Sequence, residues 1–375
     1  MKRLGIVVLY DNQGVMDRYV ENLVFSLQNE IQEMYIIING AMGREALEKL
    51  KCYTHKIFFR DNLGFDAGAY KDALLYFIPQ EVQEEYDEII FINDTFFGFF
   101  NPIRPLLDRF EAESVDFWGI TRHPRIRCDK GEITESHIQT YFLVVRKRLF
   151  INPCFVEFWE KMPYPQTYQI AIRDFEIRFT LYFEERGFCG KSWMDLHKNL
   201  AWWKDEGNPY ILHSCELIEE LHVPLLKKKC LYFESAGYIN ALQALEYIEK
   251  EGKFDTSLIW DNIFRLCREN LFKSLLNYNK LEKFYAGHKR IYIYGVGKYG
   301  QRMKRYFKYR NWKFECFLTS ENVNGTQNCR RYAEIDFALG DGIILALGKT
   351  ACGEVYPMIA EKMDSSQLFL LQYAL

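Results

Sequence analysis

The sequence contains no apolar run of 18 residues, so it predicts no membrane-spanning helix. Its ten cysteines include no CxxC pair and no metal-like spacing, which favours free thiols in a reducing compartment over a disulfide scaffold. The net charge is only −3, so no strong field of one sign points to nucleic acid. From these absences we expect a cytoplasmic protein that does not bind nucleic acid.

What is abundant is apolar and aromatic material. The chain has 375 residues, of which 49% are hydrophobic and 17% aromatic, enough for one large globular domain or two ordinary ones. Aromatic side chains suit both deep cores and the surfaces on which sugars or bases stack. The composition therefore predicts a folded protein and leaves the use of its aromatics open.

The first hundred residues alternate between continuous apolar runs and amphipathic segments. Runs such as "IVVLY", "MYIII" and "EIIFI" are typical of strands that are buried on both faces. We predict strands at 4–10, 34–39, 55–59 and 88–92, and helices at 14–29, 43–50 and 65–77. This alternation predicts an α/β fold with a mostly parallel sheet flanked by helices.

The pattern changes after residue 100. "VDFWGITRH" and "IQTYFLVVRKRLF" extend the sheet, "RDFEIRFTLYFEERGF" predicts a helix, and a new α/β pattern starts at "KRIYIYGVGKYG". We therefore expect a large domain at 1–236, a helical connector at 237–285 and a small Rossmann-like domain at 286–375.

Polar residues follow the predicted strands at the edge where parallel sheets bind ligands. Asp94 directly follows "EIIFIN" and is a candidate oxygen ligand for Mg²⁺ or Mn²⁺, although Asn93 and Asp94 equally suit a turn cap. Asp66, between two glycines, either caps a helix or accepts from sugar hydroxyls. Glu176 and Asp174 offer a carboxylate as a base, or form an ordinary solvated helix start.

Several stretches together carry a family resemblance. "DNLGFDAGAYKDAL", "YDEIIFINDTFFGFF", "DFWGITRH" and "DTSLIWDNIFRL" resemble, in order and spacing, the rhamnan synthesis protein F family of bacterial polysaccharide glycosyltransferases, over roughly residues 4–270. The resemblance implies a GT-A fold, an activated deoxysugar donor such as dTDP-L-rhamnose, and a cell-surface glycan acceptor, commonly on a polyprenyl lipid. Contact with a membrane surface and the oligomeric state stay open.

The resemblance also implies roles for individual residues. "IND" takes the place of the metal-binding DXD motif, with Asn93 where its first Asp stands, so the Mg²⁺ or Mn²⁺ site rests on Asp94 and a late ligand, His222. Glu176, with Asp174 beside it, is the implied catalytic base for inverting transfer. The residues expected to bind the nucleotide sugar are Tyr10, Asp11, Asn39, Arg60, Asn62, Gly64, Asp66, Asn93 and Lys227.

The second domain contains its own motif. "YIYGVGKYG" places Gly295, Gly297 and Gly300 as GxGxxG after a strand and before a helix, which is typical of a phosphate-binding turn. The next strand ends in Thr319 and Ser320, where a dinucleotide site expects an acid. We therefore leave two alternatives open, a second nucleotide site and a scaffolding domain.

Two hypotheses of different class follow. The first is a glycosyltransferase that uses a nucleotide sugar. The second is a non-catalytic protein that binds nucleotide sugars or organises a polysaccharide synthesis complex, and the missing first Asp of DXD favours it. An oxidoreductase built on the GxGxxG motif is disfavoured because about 90 residues leave no room for a substrate domain.

Overall fold

The computed structural model describes residues 1–127, 133–195, 208–231, 238–266, 280–321 and 328–371. The chain divides into two compact units. The first consists of Met1–Leu231 and Asn240–Asn262, and the second of Tyr232–Ile239 and Ile263–Leu375.

An eight-stranded sheet forms the centre of the first unit, in the order β11-β6-β10-β4-β1-β2-β3, with β9 paired to β6. Its strands are β1 (Arg3–Tyr10), β2 (Glu33–Asn39), β3 (Ile57–Arg60), β4 (Glu88–Asn93), β6 (Phe117–His123), β9 (His137–Ile138), β10 (Phe142–Arg146) and β11 (Gly190–Asp195). Two short antiparallel pairs lie apart from it: β5 (Phe96–Gly98) with β12 (Leu225–Lys227), and β7 (Ile126–Arg127) with β8 (Ile133–Thr134).

The strands β1 to β4 are parallel, and β10 runs antiparallel between β4 and β6. β1 and β4 are buried almost throughout, as their continuous apolar sequences predict for strands covered on both faces. The predicted fold class, an α/β protein with a large, mostly parallel sheet flanked by helices, is confirmed.

Thirteen α-helices of the first part of the chain have described bounds. They are α1 (Arg18–Gln28), α2 (Arg44–Lys51), α3 (Phe65–Asp72), α4 (Gln80–Gln83), α5 (Arg104–Glu111), α6 (Lys147–Phe150), α7 (Pro153–Lys161), α8 (Tyr168–Ala171), α9 (Arg178–Glu184), α10 (Pro209–Leu212), α11 (Ser214–Glu219), α12 (Tyr238–Glu251) and α13 (Ser257–Leu266). Residues 240–262, within the predicted connector, belong to the first unit. The domain boundaries drawn from the sequence stay a prediction.

Two helical runs change their winding. The helix predicted at 65–77 is α3 followed by a π-helical segment, Ala73–Phe77, and a second π-helical segment, Ile172–Ile177, joins α8 to α9. Asp174 and Glu176 were expected at a helix start, which is wrong, because the helical run begins at Tyr168. Both therefore lie inside it, in the π-helical turn.

The second unit is a five-stranded, all-parallel sheet in the order β15-β14-β13-β16-β17. Its strands are β13 (Arg290–Tyr294), β14 (Phe317–Thr319), β15 (Cys329–Arg331), β16 (Asp341–Leu345) and β17 (Leu368–Leu370), with helices α14 (Lys298–Tyr309) and α15 (Lys349–Ala360). Counted within the unit, this is the order 3-2-1-4-5 of doubly wound sheets. In the described part of the chain, no helix is long and apolar enough to cross a membrane.

Candidate functional site

The turn that follows β3 is fixed by a network of polar side chains. Arg60 donates to Asn39 Oδ1 at 2.7 Å and to the carbonyl of Leu63 at 2.6 Å, and Asn39 Nδ2 donates to the carbonyl of Phe65 at 3.0 Å. Gly64 and Phe65 both have positive φ, 78° and 57°, so this backbone is strained at Phe65 and needs such support. Asn39 and Arg60 thus hold the turn that presents Asp66.

Asp66 meets the end of β4. Asn93 Nδ2 donates to Asp66 Oδ2 at 2.6 Å, while Asn93 Oδ1 accepts from the amide and hydroxyl of Thr95 at 3.2 and 2.6 Å. Both polar atoms of the Asn93 side chain are therefore used within the protein. Burial raises the pKa of Asp66, the negative charge of Glu176 raises it further, and the hydrogen bond from Asn93 opposes both.

Asp94 is paired with a phenol and a cation. Tyr19 Oη lies 3.3 Å from Asp94 Oδ2, and Lys228 Nζ lies 3.9 Å from the same oxygen while it donates to Tyr19 Oη at 2.6 Å. Burial raises the pKa of Asp94, and the charge of Lys228 and the bond from Tyr19 work against that rise. Asp94 is thus a buried carboxylate with a fixed ammonium beside it.

Backbone pairing explains why the lysines reach this edge. β12 runs antiparallel to β5, with Lys227 opposite Phe96, and the amide of Lys228 donates to the carbonyl of Thr95 at 3.1 Å. The pairing holds two consecutive lysines immediately beside the residues that follow β4. Lys227 Nζ lies 3.5 Å from the centre of the Tyr141 ring.

The charge of Lys227 is poorly solvated. Burial lowers the pKa of Lys227 to about 7, although attraction to Glu176 and Asp66 works in the opposite direction. Among the residues described, none forms a hydrogen bond or an ion pair with its ammonium group. In the described part of the chain, the surroundings of this ammonium group are therefore an aromatic face and carboxylates beyond ion-pair distance.

Glu176 is held from three directions. It accepts from His137 Nε2 at 3.1 Å and from the amide and hydroxyl of Thr140 at 3.0 and 3.1 Å. His137 Nδ1 lies 2.7 Å from the carbonyl of Glu135, so both ring nitrogens of His137 face oxygen atoms. Burial pushes the pKa of Glu176 upward, but the hydrogen bond and charge of His137, the charge of Lys227 and the hydrogen bond from the Thr140 amide together outweigh it and lower that pKa to about 2.

Other predicted site residues lie apart from this cluster or serve local structure. Tyr10 is 47% exposed at the end of β1, and Asp11 accepts from the amides of Gln13 and Val15. Asn62 lies in the turn after β3 and is half-buried. Asp174 pairs with its neighbour Arg173 at 2.6 Å.

The residues predicted to form the Mg²⁺ or Mn²⁺ site do not come together as ligands. In the described ranges, no three His, Cys, Asp or Glu side chains converge as a metal site requires. His222 is exposed, with φ of 54°, and both polar atoms of the Asn93 side chain are hydrogen-bonded to Asp66 and Thr95. Of the three predicted metal-site residues, all within the described ranges, Asp94 is the one still placed to act with substrate phosphates, and the ammonium of Lys228 beside it repels a divalent cation. The residues present therefore fit a lysine-paired carboxylate and do not fit a metal centre.

Sequence reasoning missed three members of this cluster. Tyr19, His137 and Thr140 come from α1, β9 and the loop before β10, and only the fold brings them to Asp94 and Glu176. The phenol of Tyr70 is also buried, and among the described side chains none partners it. The one sequence signal was position: His137 and Thr140 both lie shortly before the apolar run "YFLVV".

The GxGxxG turn of the second unit has the backbone that its glycines predict. Gly295 has φ of 107°, and a Cβ at Gly300 would lie 1.9 Å from the carbonyl oxygen of Gly295, so only glycine fits there. A Cβ at Gly297 would meet nothing within 4 Å. The turn is thus built for close helix packing, and the second nucleotide site stays a prediction.

Comparison with known proteins gives partial relatives. A protein designated y4gN from Sinorhizobium fredii is 25% identical over 191 residues, which are 49% of this chain and 46% of that protein. Virulence protein VirA of Vibrio anguillarum is 29% identical over 160 residues, 41% of this chain and 48% of that protein. The chain thus spans about half the length of the curated relatives it matches.

Solved structures give weaker similarities. A 4-diphosphocytidyl-2C-methyl-D-erythritol synthase from Anaerococcus prevotii aligns with a TM-score of 0.33 and 14% identity, over 52% of this chain and 87% of that one. A glucosyl-3-phosphoglycerate synthase from Mycobacterium tuberculosis, in complex with Mg²⁺ and uridine diphosphate, aligns with a TM-score of 0.20 and 13% identity, over 32% and 44%. The fold assignment rests on the sheet topology given above.

The family comparison covers most of the chain. The family described as rhamnan synthesis protein F matches residues 34–333, further toward the C-terminus than the motifs in the sequence suggest, and into the second unit. This chain therefore belongs to the rhamnan synthesis protein F family.

Proposed function

We propose that the first unit is a glycosyltransferase that takes a sugar from a nucleoside diphosphate and attaches it to a carbohydrate hydroxyl. One observation carries the proposal: the carboxyl edge of its parallel sheet gathers three carboxylates, Asp66, Asp94 and Glu176, with two lysines. Such an edge is where open α/β sheets bind ligands, and transfer needs both cations for the leaving diphosphate and a base for the acceptor.

The family match supports a glycosyltransferase-like function. We propose L-rhamnose or a related sugar as the group transferred and dTDP-L-rhamnose as the donor, on the strength of the family resemblance alone. A cell-surface glycan precursor, commonly on a polyprenyl lipid, is the proposed acceptor. A lipid-linked acceptor would place the reaction in the cytoplasm at the inner face of the membrane.

In the proposed reaction, the acceptor oxygen forms a bond to the anomeric carbon as the bond from that carbon to the diphosphate oxygen breaks. The acceptor proton passes to a carboxylate, and the electron pair of the broken bond stays on the diphosphate. Attack in line with the leaving group inverts the anomeric configuration. The ammonium groups of the two lysines stabilise the charge that develops on the diphosphate.

Two carboxylates compete for the role of base. Sequence reasoning favours Glu176, but three hydrogen bonds and a pKa of about 2 make it a weak base in this state. Asp66, whose pKa burial raises, is closer to what proton transfer at neutral pH needs. We therefore propose Asp66 as the base and Glu176 as the ionised group that sets the charge balance with His137.

The test is a turnover assay. The purified protein is incubated with dTDP-rhamnose and with UDP- and GDP-sugars, with and without glycan acceptors, and release of the nucleoside diphosphate is measured. We expect release with one donor that increases with acceptor and falls in Asp66→Asn. Binding of a nucleotide sugar with no turnover under any condition would contradict the enzyme proposal.

A specific observation favours the second candidate, a non-catalytic sensor or scaffold. Asn93 stands where the DXD motif has its first acid, and its amide is fully engaged with Asp66 and Thr95. Such a protein binds the nucleotide sugar and leaves it unchanged. Tight donor binding together with an inert Asp66→Asn substitution would support this alternative.

A further inference from the structure

We infer that the diphosphate of the donor is bound by the ammonium groups of Lys227 and Lys228, and that this binding needs no divalent cation. The inference rests on the proposed function and names how its site holds the leaving group. It departs from the Mg²⁺ or Mn²⁺ that the sequence led us to expect.

The fold fixes both lysines before any ligand arrives. Their backbone belongs to β12 and its direct continuation, which are hydrogen-bonded to β5 and Thr95, so neither lysine can drift from the end of β4 without breaking that pairing. The backbone pairing positions the Cα atoms, and the contacts of the ammonium groups with the Tyr141 ring and with Tyr19 Oη restrict the side chains, so less side-chain entropy is lost when an anion binds.

The ammonium of Lys227 faces an aromatic ring, with no anion paired to it among the residues that the structure describes. Its ammonium lies 3.5 Å from the Tyr141 ring centre, and within the described ranges no carboxylate lies within ion-pair distance of it. Removing an ammonium from water without a partner is costly, as the lowered pKa of Lys227 reflects. A phosphate oxygen would supply the missing charge, since charge-assisted hydrogen bonds are the strong ones.

The ammonium of Lys228 contacts a phenol and a carboxylate but forms no direct hydrogen bond to that carboxylate. Its ammonium donates to Tyr19 Oη at 2.6 Å, but the distance to Asp94 Oδ2 is 3.9 Å, longer than a direct hydrogen bond. A diphosphate that comes within hydrogen-bond distance would compete with Asp94 for this cation. Asp94 therefore opposes diphosphate binding in our scheme, whereas a metal-bridged diphosphate would depend on Asp94.

That opposite dependence is the core of the test. We would measure the affinity of the full-length protein for dTDP and for UDP by calorimetry, with EDTA and with Mn²⁺. The dissociation constant should change by less than about twofold between the two conditions. Loss of binding in EDTA and its return with Mn²⁺ would overturn the inference.

Variants then distinguish binding by lysines from binding through a metal, because the two schemes predict opposite changes in nucleotide affinity for Asp94→Asn. Lys227→Met should weaken nucleotide binding by about 10- to 100-fold because a charge-assisted contact is lost. Asp94→Asn should strengthen it by about threefold to tenfold, because an anion beside Lys228 disappears. Weaker binding in Asp94→Asn, or unchanged binding in Lys227→Met, would contradict the lysine scheme.

A matched control removes a lysine of the same unit outside the cluster. Lys161, whose side chain is 68% exposed on α7, pairs with Glu157, and Lys161→Met should leave nucleotide affinity unchanged. Thermal unfolding of each variant confirms that the fold is retained. If Lys227→Met does not fold, Lys228→Met and Asp94→Asn still give opposite shifts in affinity under the lysine scheme.

The outcomes also distinguish this inference from the proposed function. Suppose that nucleotide binding occurs in EDTA and its affinity is unchanged by Lys227→Met, Lys228→Met and Asp94→Asn. That result would overturn the lysine scheme and leave the glycosyltransferase proposal in place. Absence of dTDP and UDP binding in every condition would overturn both.

Discussion

In both units, the central strand of a parallel sheet begins with an arginine that pairs with a carboxylate on the neighbouring strand. Arg3 on β1 lies opposite Glu88 on β4, and Arg290 on β13 lies opposite Asp341 on β16. The two sheets also share the order 3-2-1-4 for their parallel strands. At the amino ends of their sheets, the two units thus share an ion pair that joins the first residues of two neighbouring parallel strands.

The carboxyl ends differ. In the first unit the elements there bring charged side chains together, among them Asp66, Asp94 and Lys228. In the second unit β13 is followed by the glycine turn at Gly295, and the hydroxyls of Tyr294 and Ser320 are hydrogen-bonded at 2.6 Å beyond β14. A shared sheet thus does not imply a shared activity, because function depends on the residues placed at its edge.

Removing a charge at the first edge should have the largest effect. Asp66→Asn keeps a polar group beside Asn93 but removes the proposed base, so turnover should fall by about 10²- to 10⁴-fold. Ser320→Ala at the second edge removes one hydrogen bond and should leave turnover unchanged. Equal losses in the two variants, measured as nucleoside diphosphate release, would break the functional contrast between the edges.

The arginine pairs should differ in stability. Arg3 and Glu88 are 2% and 1% exposed, and Arg3→Met leaves Glu88 with Arg146 as its other charged partner, so the free energy of unfolding should fall by about 3 kcal/mol. Arg290 is 43% exposed, and its buried partner Asp341 keeps the hydrogen bond from the amide of Ala338, so Arg290→Met should lower the free energy of unfolding by only about 1 kcal/mol. Urea unfolding of both variants measures the difference, and a larger loss for Arg290→Met would reverse our ranking.

Glycines of the second edge offer a smaller, structural test. Gly300→Ala places a methyl group against the carbonyl of Gly295 and should destabilise the second unit by about 1–3 kcal/mol. Gly297→Ala meets open space and should change its stability by less than about 0.5 kcal/mol. Thermal unfolding distinguishes the two, and a tolerated Gly300→Ala would show that the helix packs less closely than described.

Nucleotide affinity at the first edge should depend on pH near neutrality. The folded pKa of Lys227 is lowered to about 7, so the ammonium that binds diphosphate is lost as the pH rises through that value. Affinity for dTDP should then fall by up to about tenfold per pH unit above 7, and Lys227→Met should remove this dependence. A flat affinity profile of the unsubstituted protein between neutral and alkaline pH would be inconsistent with a titrating Lys227.

The same pKa shift affects stability with a defined sign. Between the folded value of about 7 and the unfolded value near 10.5, the unfolded chain binds more protons at Lys227. The free energy of unfolding therefore rises with pH across this window. The stability gained by deprotonation of Lys227 is fully present above the unfolded pKa and is lost as the pH falls through the folded pKa. Comparing unfolding of Lys227→Met with the unsubstituted protein isolates this contribution.

Much of the first sheet follows from local sequence. Strands β1, β2 and β4 are continuous apolar runs because both their faces are buried, and that pattern is visible in one chain. The GxGxxG turn is likewise a local pattern, and its glycines adopt the backbone that the motif requires.

The site needed contacts that no local pattern contains. β12 joins β5 from a distant part of the chain, and His137 reaches Glu176 across 39 residues. The role of Glu176 as a base was inferred from its position along a helix, whereas its environment depends on His137 and Thr140. Sequence therefore predicted which residues lie near the edge better than how each is charged.

The π-helical segment that contains Glu176 has an evolutionary consequence. A π-turn holds one more residue than an α-helical turn, so it is equivalent to a single-residue insertion within Ile172–Ile177. Removing one residue there would restore a regular α-helical turn, leave the flanking helical segments in register, and change the direction in which the side chains of the turn point, among them Glu176. The presence of one additional residue in this helix thus decides whether the pair of Glu176 and His137 forms. Homologues with a one-residue deletion there should also lack the histidine equivalent to His137.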